Sequence, residues 1–561
     1  MLRWKKRRKR EVEIQPDEIL IDASNISDLD TDQMEGRLQR PLGRRVLLST
    51  GAMVVLLYVL FLGRAWDLQF MRGAAYAKQA AENQLSEKVV FADRGVIIDR
   101  TGRELAYNVR NSVDDDFAVR AYAAFRGVAH AVGYVKSPAK DSYGIYFRDT
   151  FTGIDGAEQA YDGLLAGQNG LTLTETNAQG KLVSQSTERL PTAGAKVAVS
   201  LDAVVTQGLY DAIATRSEES KFQGGAGVIM DVRTGELLAL TSFPEYPQQA
   251  LTDGDKDTLA QLLSDKRLPF LDRAVNGLYA AGSIIKPLVA TAALTEGVID
   301  ENTQILSTGS ISIPNPYNPS LPSVFKDWRI NGWVDMRHAI AVSSDVYFYE
   351  VGGGFENQPG LGITLLDKYL RLYGFGKESG LVGFTEPTGT IPTPLWKEEN
   401  FPGDPWRIGD TYHTAIGQYG VQITPLQAVR AIAAVANGGT LLTPTLLASS
   451  TPRSIALPIP PQALLVAREG MRLGVTEGIA QAVNSAGVQV AAKTGTAQVG
   501  AHNEYVNSWM VGFFPYEHPR YAYAVVLERG PAGTLVGASA AMSGFLQWLV
   551  ANAPQYTQDS P

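Results

Sequence analysis

The longest uninterrupted apolar run lies near the start of the chain. From Val46 to Gly63 the sequence VLLSTGAMVVLLYVLFLG carries no charge, and at about 1.5 Å rise per residue it reaches about 27 Å, close to the thickness of a bilayer's hydrocarbon core. The pattern predicts one membrane-spanning helix over 46–63. A buried core helix is rarely flanked by arginines such as Arg44, Arg45 and Arg64. A cleaved signal has a shorter apolar run, a shorter leader and a small-residue site nearer than Ala75-Tyr76-Ala77. The stretch RAWDLQFMRGAAYAKQAAENQ then reads as a continuing amphipathic helix.

Beyond it the pattern shortens. KVVFADRGVIIDRTGRELA gives two short apolar runs joined by Asp99-Arg100-Thr101-Gly102, which is turn chemistry, and a second extended region follows near KLVSQSTERLPTAGAKVAVSLD. From about Lys196, GAGVIMD and GELLALTSFP form a strand pair joined through Asp231-Val232-Arg233-Thr234-Gly235. Three more strand-like runs, VAAKTGTAQ, SWMVGFFP and YAYAVVLE, come at the far end, with helical segments and proline-rich loops between the groups. This predicts an α+β protein whose larger domain has one antiparallel sheet, built from both ends of that domain and packed with helices. The expected division is a tail over 1–45, the span over 46–63, an elongated α+β pedestal over 64–195, the larger domain over 196–555 and a polar tail over 556–561.

Charge adds an orientation. The first ten residues hold seven Lys or Arg, and Arg37, Arg40, Arg44 and Arg45 follow before the span, so the positive-inside bias puts this end in the cytoplasm and everything after Arg64 outside. A nucleic-acid role for the same cluster is the competing reading, but such clusters are commoner as topology signals beside a membrane helix, and the net charge of -8 over the 561 residues suggests no nucleic-acid binder. The absence of cysteine excludes disulfides, thiolate metal sites and a cysteine nucleophile. The five histidines include no H-E-x-x-H pair, so no metal is expected.

S-x-x-K occurs three times, at Ser137, Ser283 and Ser323. Ser137 sits in the polar run KSPAKDS and Ser323 in a proline-rich loop. Ser283 instead opens IIKPLVATAAL, where Lys286 interrupts an almost wholly apolar segment, as in a buried helix. Pro287 belongs in a first helical turn and fixes the helix start near Ser283. Three residues apart, Ser283 and Lys286 share a face. A desolvated Lys286, with a second cation nearby, could take the serine proton. A snorkelling lysine beside a capping serine fits the same segment. The second cation is expected at Lys493 in AAKTGTAQ. This run imitates a Walker A loop after Gly487, but Ala492 stands where the phosphate cradle needs glycine. As a strand it points Lys493 and Gly495 to one side and Thr494 and Thr496 to the other, and Gly495 would allow a close approach. Gly537-Ala538-Ser539-Ala540-Ala541 imitates a nucleophile elbow, with only His518 near it as a base.

The ordered elements Ser283-Ile284-Ile285-Lys286, Ser343-Ser344-Asp345 and Lys493-Thr494-Gly495, 60 and 150 residues apart, resemble the active site of the penicillin-binding transpeptidases. DRGVIIDRTGRELA, GIDGAEQAYDGLLAGQNG, MDVRTGELLAL, YAAGSIIKP, GWVDMRHAIAVSSDVYFYE and IGQYGVQITPLQ extend the likeness to class B members. The Asp345 ending and the DVYFY continuation resemble penicillin-binding protein 2, the elongation type. The prolines often found before the glycine are Ala280 and Ala281 here, and the stretch 108–133 is shorter than the head region of most relatives.

The resemblance implies a β-lactamase/transpeptidase-like fold with an antiparallel five-stranded sheet on a dimerisation-type pedestal. It makes Ser283 the acylated nucleophile and Lys286 its base. Ser343 would relay a proton to the leaving amine, Asp345 would hold the cleft, and Lys493 would set the field. Thr494 and Thr496 would bind the donor's terminal carboxylate beside Gly495, with the N–H groups of Ser283 and Thr496 as oxyanion hole. The implied reaction is D,D-transpeptidation of D-Ala-D-Ala stem peptides of peptidoglycan, in elongation and cell-shape maintenance, with penicillin and other β-lactams acylating the same serine. No cofactor is implied. The implied partner is a membrane glycosyltransferase of the shape, elongation, division and sporulation type. A D,D-carboxypeptidase or β-lactamase, or a non-catalytic sensor or scaffold, remains open.

Overall fold

The computed structural model describes residues 44–82, 85–112, 115–176, 182–315, 318, 320–484, 487–534 and 536–558. The basic cluster of the first ten residues and the last three residues of the polar tail lie outside them. The contacts divide the chain into two units, Met1–Ser86 with Glu175–Val183, and Glu87–Thr174 with Ser184–Pro561.

In the first unit, helix α1 (Arg44–Trp66) covers 23 residues. At about 1.5 Å per residue it is about 35 Å long, enough to cross a bilayer. Its mean hydropathy of 2.4 and the absence of any buried share fit a single-pass anchor. It extends beyond the predicted 46–63 because Arg44, Arg45 and Arg64 can lie at its ends with their charges reaching out of the apolar zone. The expected amphipathic continuation is interrupted: a π-turn over Asp67–Met71 separates α1 from the helix Gly73–Glu82, with Asp67 pairing to Arg64 at 2.7 Å and Arg72 at 3.3 Å.

In the second unit, the pedestal segment builds a four-stranded sheet from β1 (Ile97–Ile98), β2 (Glu104–Val109), β3 (Val119–Tyr122) and β4 (Val197–Ala198), in the order β4-β1-β2-β3. The β1–β2 turn is the one the sequence predicts. Asp99 Oδ1 accepts from the amides of Thr101 and Arg103 at 2.8 and 2.9 Å, and Gly102 takes φ +89°, a conformation that costs glycine little. Buried Glu158 accepts from Arg94 Nε and from Nε of Arg120 on β3, each at 2.7 Å, so three charges are removed from water together.

The larger C-terminal segment starts with α2 (Ala203–Ser220), β5 (Gly224–Asp231) and β6 (Leu237–Phe243). Helices α3 (Lys286–Thr295), α4 (Met336–Val342), α5 (Asp345–Gly353), α6 (Ile408–Ala415), α7 (Pro425–Ala436) and α8 (Pro461–Thr476) follow. The chain then returns through β7 (Ala491–Val499), β8 (Tyr505–Phe514) and β9 (Tyr521–Pro531) and ends in α9 (Ala538–Asn552). The five strands form one antiparallel sheet, in the order β6-β5-β9-β8-β7, as expected from the two separated groups of strand patterns. Alternation divides its two faces. Ala522, Ala524 and Val526 face the core that contains α3, α7 and α8, whereas Tyr521, Tyr523, Val525 and Leu527 face α2 and α9. Both faces are covered, so the strands read as continuous apolar runs.

Candidate active site

The YAAGSIIKP segment ends in a 3₁₀ turn, Gly282–Ile285, that passes into α3 at Lys286, with Pro287 in the first turn. Pro287 donates no N–H and presets the helical φ, so it fixes this start. Ser283 is half-buried on the tight turn, and α3 itself begins three residues later than Ser283. Lys286 is 0% exposed. Its Nζ donates to Asp345 Oδ1 at 2.7 Å, to the Ser343 carbonyl at 2.8 Å and to Ser343 Oγ at 3.2 Å. The lysine is therefore buried as the sequence predicts and is not a snorkelling one. Burial does not act on it alone, because a carboxylate lies against it.

Ser343 ends α4 in the left-handed region, with φ +57°. Ser344 then caps α5, its Oγ accepting from the Tyr347 amide at 3.3 Å, and Asp345 opens that helix, where the dipole favours a carboxylate. The corner is held by Asp327, which the sequence does not single out. Its Oδ2 accepts from Ser344 Oγ at 2.7 Å, Ser307 Oγ at 3.0 Å and the Val346 amide at 3.1 Å.

On β7, Lys493 and Gly495 are buried while Thr494 is half-buried and Thr496 exposed, the alternation expected of the strand. Gly495 is where a close approach occurs. A Cβ there would lie 2.8 Å from Ile284 Cγ2 and 3.2 Å from Trp509 Cβ, so only glycine lets β7 lie flush against the turn that carries Ser283. Lys493 Nζ donates to the Thr494 carbonyl at 2.9 Å. Burial and the neighbouring Lys286 push the Lys493 ammonium well below its ordinary pKa, with Asp345 opposing. Lys286 is thus near enough to Lys493 to disfavour the charge on Lys493.

The three elements meet at one cleft of about 410 Å³. Ser283, Ser343, Asp345, Thr494, Gly495 and Thr496 line it, together with Trp328, Ile479, Ser508, Trp509 and Ser539. Lys286 and Lys493 lie behind this surface. The other two S-x-x-K matches stay outside: Lys140 is exposed and pairs with Asp116 at 2.6 Å, and Ser323–Lys326 is a strand with Lys326 on the surface. The elbow-like Gly537-Ala538-Ser539 is the start of helix α9. His518 is exposed between β8 and β9 and does not line the cleft.

Trp328, Gln418 and Asp327 are absent from the sequence reading. Trp328 borders the cleft and donates its indole N–H to the Val342 carbonyl at 3.1 Å. Gln418 reaches the Thr496 carbonyl at 3.5 Å. These residues lie in irregular loops and carry no periodicity. The one signal available was an aspartate beside a tryptophan in an otherwise polar stretch, KDWRIN.

The profile of the Penicillin binding protein transpeptidase domain matches residues 225–543, and that of the Penicillin-binding Protein dimerisation domain matches 115–199. The peptidoglycan D,D-transpeptidase MrdA of Escherichia coli K12 is 29% identical over 608 aligned residues, covering 88% of this chain and 91% of that protein. Among solved structures, penicillin-binding protein 2 of Helicobacter pylori, in complex with MreC, is 25% identical with a TM-score of 0.70, covering 84% of this chain and 99% of that one. A chain from a peptidoglycan synthase complex that coordinates polymerization and crosslinking is 26% identical with a TM-score of 0.70, covering 91% of this chain and 100% of that one. The Ser283 turn, the Ser343–Asp345 corner and the Lys493 strand thus all lie within the matched transpeptidase domain, and the chain belongs to the class B penicillin-binding protein transpeptidases.

Proposed function

We propose that this protein is a serine D,D-transpeptidase that cross-links peptidoglycan during cell-wall elongation and so maintains cell shape. The observation that carries the reading is the convergence of Ser283, Ser343, Asp345, Thr494 and Thr496 on one cleft, with Lys286 Nζ in contact with both Ser343 and Asp345.

Ser283 Oγ attacks the carbonyl carbon between the two terminal D-Ala residues of a donor stem peptide and passes its proton to Lys286. The new C–O bond forms first, giving a tetrahedral oxyanion, and its collapse breaks the C–N bond. A proton delivered through Ser343 lets the last D-Ala leave as an amine. An amine from a neighbouring stem peptide then displaces Ser283, forming the cross-link. Lys493, held close by and reluctant to carry charge, tunes the field felt by Lys286. Thr494 and Thr496 receive the donor carboxylate, and the N–H groups of Ser283 and Thr496 bind the oxyanion. β-Lactams present a strained amide to the same serine.

The basic N-terminal segment favours an inside N-terminus, with the catalytic domain on the outer side of the cytoplasmic membrane. The relative found in a synthase complex that coordinates polymerization and crosslinking supports assembly with a membrane glycosyltransferase of the shape, elongation, division and sporulation type, and the relative found with MreC supports a further partner of the MreC kind. Labelling of the full chain with a fluorescent penicillin, beside Ser283→Ala, tests the reading. Wild type is expected to form a covalent adduct and the variant none. An unlabelled wild type, or equal labelling of both, would overturn it.

A further inference from the structure

The turn that carries Ser283 is supported from behind by residues 417–423. The Gly282 amide donates to the Gly417 carbonyl at 2.8 Å, and Ala280 and Tyr279 pair in antiparallel register with Gln422 and Ile423. This backing segment is conformationally demanding. Gly417, Tyr419 and Gly420 all take left-handed φ, at +77°, +55° and +84°, and Tyr419 is the one of the three that has a side chain to resist it. Something outside the segment must hold it.

Lys397, on the short helix Pro394–Asn400, is placed to do so. Its side chain is 2% exposed, and its three N–H donors have three acceptors: Asp410 Oδ2 at 2.7 Å, Pro405 O at 3.0 Å and Asp404 Oδ2 at 3.1 Å. Nζ also lies 5.6 Å from the centroid of the Tyr419 ring, which packs edge-on against Trp396 and Trp406. Asp410 closes the first turn of α6 by accepting from the Arg407 amide at 2.7 Å, and α6 leads directly into the backing segment. One ammonium therefore ties together the loop before α6, the start of α6 and the strained tyrosine after it. Without it, the mostly buried Asp410 would lose its cation, whereas the more exposed Asp404 also pairs with Arg407.

We propose that Lys397 is a positioning residue for acyl transfer, acting through the 417–423 segment to hold the Ser283 turn and Thr496 in register. The inference rests on the transpeptidase reading above. The test measures the second-order rate of acylation by a fluorescent penicillin on the full chain, at a temperature where circular dichroism shows each variant folded. A displacement of about 1 Å at a reacting group lowers rates by up to about 100-fold. Lys397→Met is therefore expected to acylate about 10- to 100-fold more slowly per folded molecule, and Lys397→Arg, which can still bridge two carboxylates, to recover most of the rate. Asp404→Asn, which keeps the Asp410 contact, is expected to fall between them and decides the question if Lys397→Met does not fold. A folded Lys397→Met or Asp404→Asn that acylates at the wild-type rate, even with a lowered melting temperature, would overturn the proposal. A wild type that fails to acylate would sink the transpeptidase reading instead.

Discussion

Lys286 Nζ lies 2.7 Å from Asp345 Oδ1, so the lysine three residues after Ser283 is bound to the residue that ends the Ser343–Asp345 corner. The lysine is fully buried and the carboxylate is mostly so. The pair aligns Nζ on Ser343 Oγ and couples two elements 59 residues apart. Asp345→Asn keeps an acceptor and removes the charge. It is expected to slow penicillin acylation by about 100-fold, the lower end of what a general acid–base contribution provides, as read by the second-order rate constant. An unchanged rate would reduce Asp345 to a purely structural role.

Lys493 gives a pH signature in stability. Its ammonium is held well below the ordinary lysine value of 10.5 by burial and by Lys286. Between the depressed value and 10.5 the unfolded chain binds more protons at this site than the folded one, so its contribution to stability rises as pH rises and is lost as pH falls through that window. Denaturant unfolding of wild type and Lys493→Met from pH 7 to 10 should therefore give a difference that grows with pH in favour of wild type. A flat difference would show that Lys493 keeps its proton in the fold.

The contact of Gly495 with Ile284 predicts a coupled pair. Gly495→Ala places a methyl group 2.8 Å from Ile284 Cγ2, and overpacking of this kind costs about 1–3 kcal/mol. Because β7 would be pushed off the Ser283 turn, acylation should fall as well. Adding Ile284→Ala, which removes Cγ2, makes room, so the double variant is expected to lose less of both quantities than the sum of the two single variants. Additive losses in the double-mutant cycle would mean that the two residues do not press on each other.

Much of the fold was legible because its signals are local. The uncharged run 46–63 could form little else than an apolar helix, and the five strands showed as short apolar runs, the first two joined by the turn residues Asp231-Val232-Arg233-Thr234-Gly235. Among the site residues, Ser283 stood out from Ser137 and Ser323 through the apolar helix that follows it. Ser343 and Lys493 acquired meaning from the ordered resemblance. Asp327, Trp328, Lys397 and Gln418 were not legible. Each acts through a partner distant in sequence, as Asp327 does with Ser344 and Gln418 with Thr496, and an isolated polar residue in a loop has no period.

The sequence by itself determined the long apolar N-terminal helix, the strand and helix types and the order of the chemical elements, because hydrophobic periodicity and turn chemistry are properties of neighbouring residues. Tertiary structure alone decided that Asp345 pairs with Lys286, that burial and Lys286 together depress Lys493, and that Gly495 admits the Ser283 turn. Desolvation, Coulombic coupling and steric clearance depend on distances between segments, and those distances exist only once the sheet and its helices have packed.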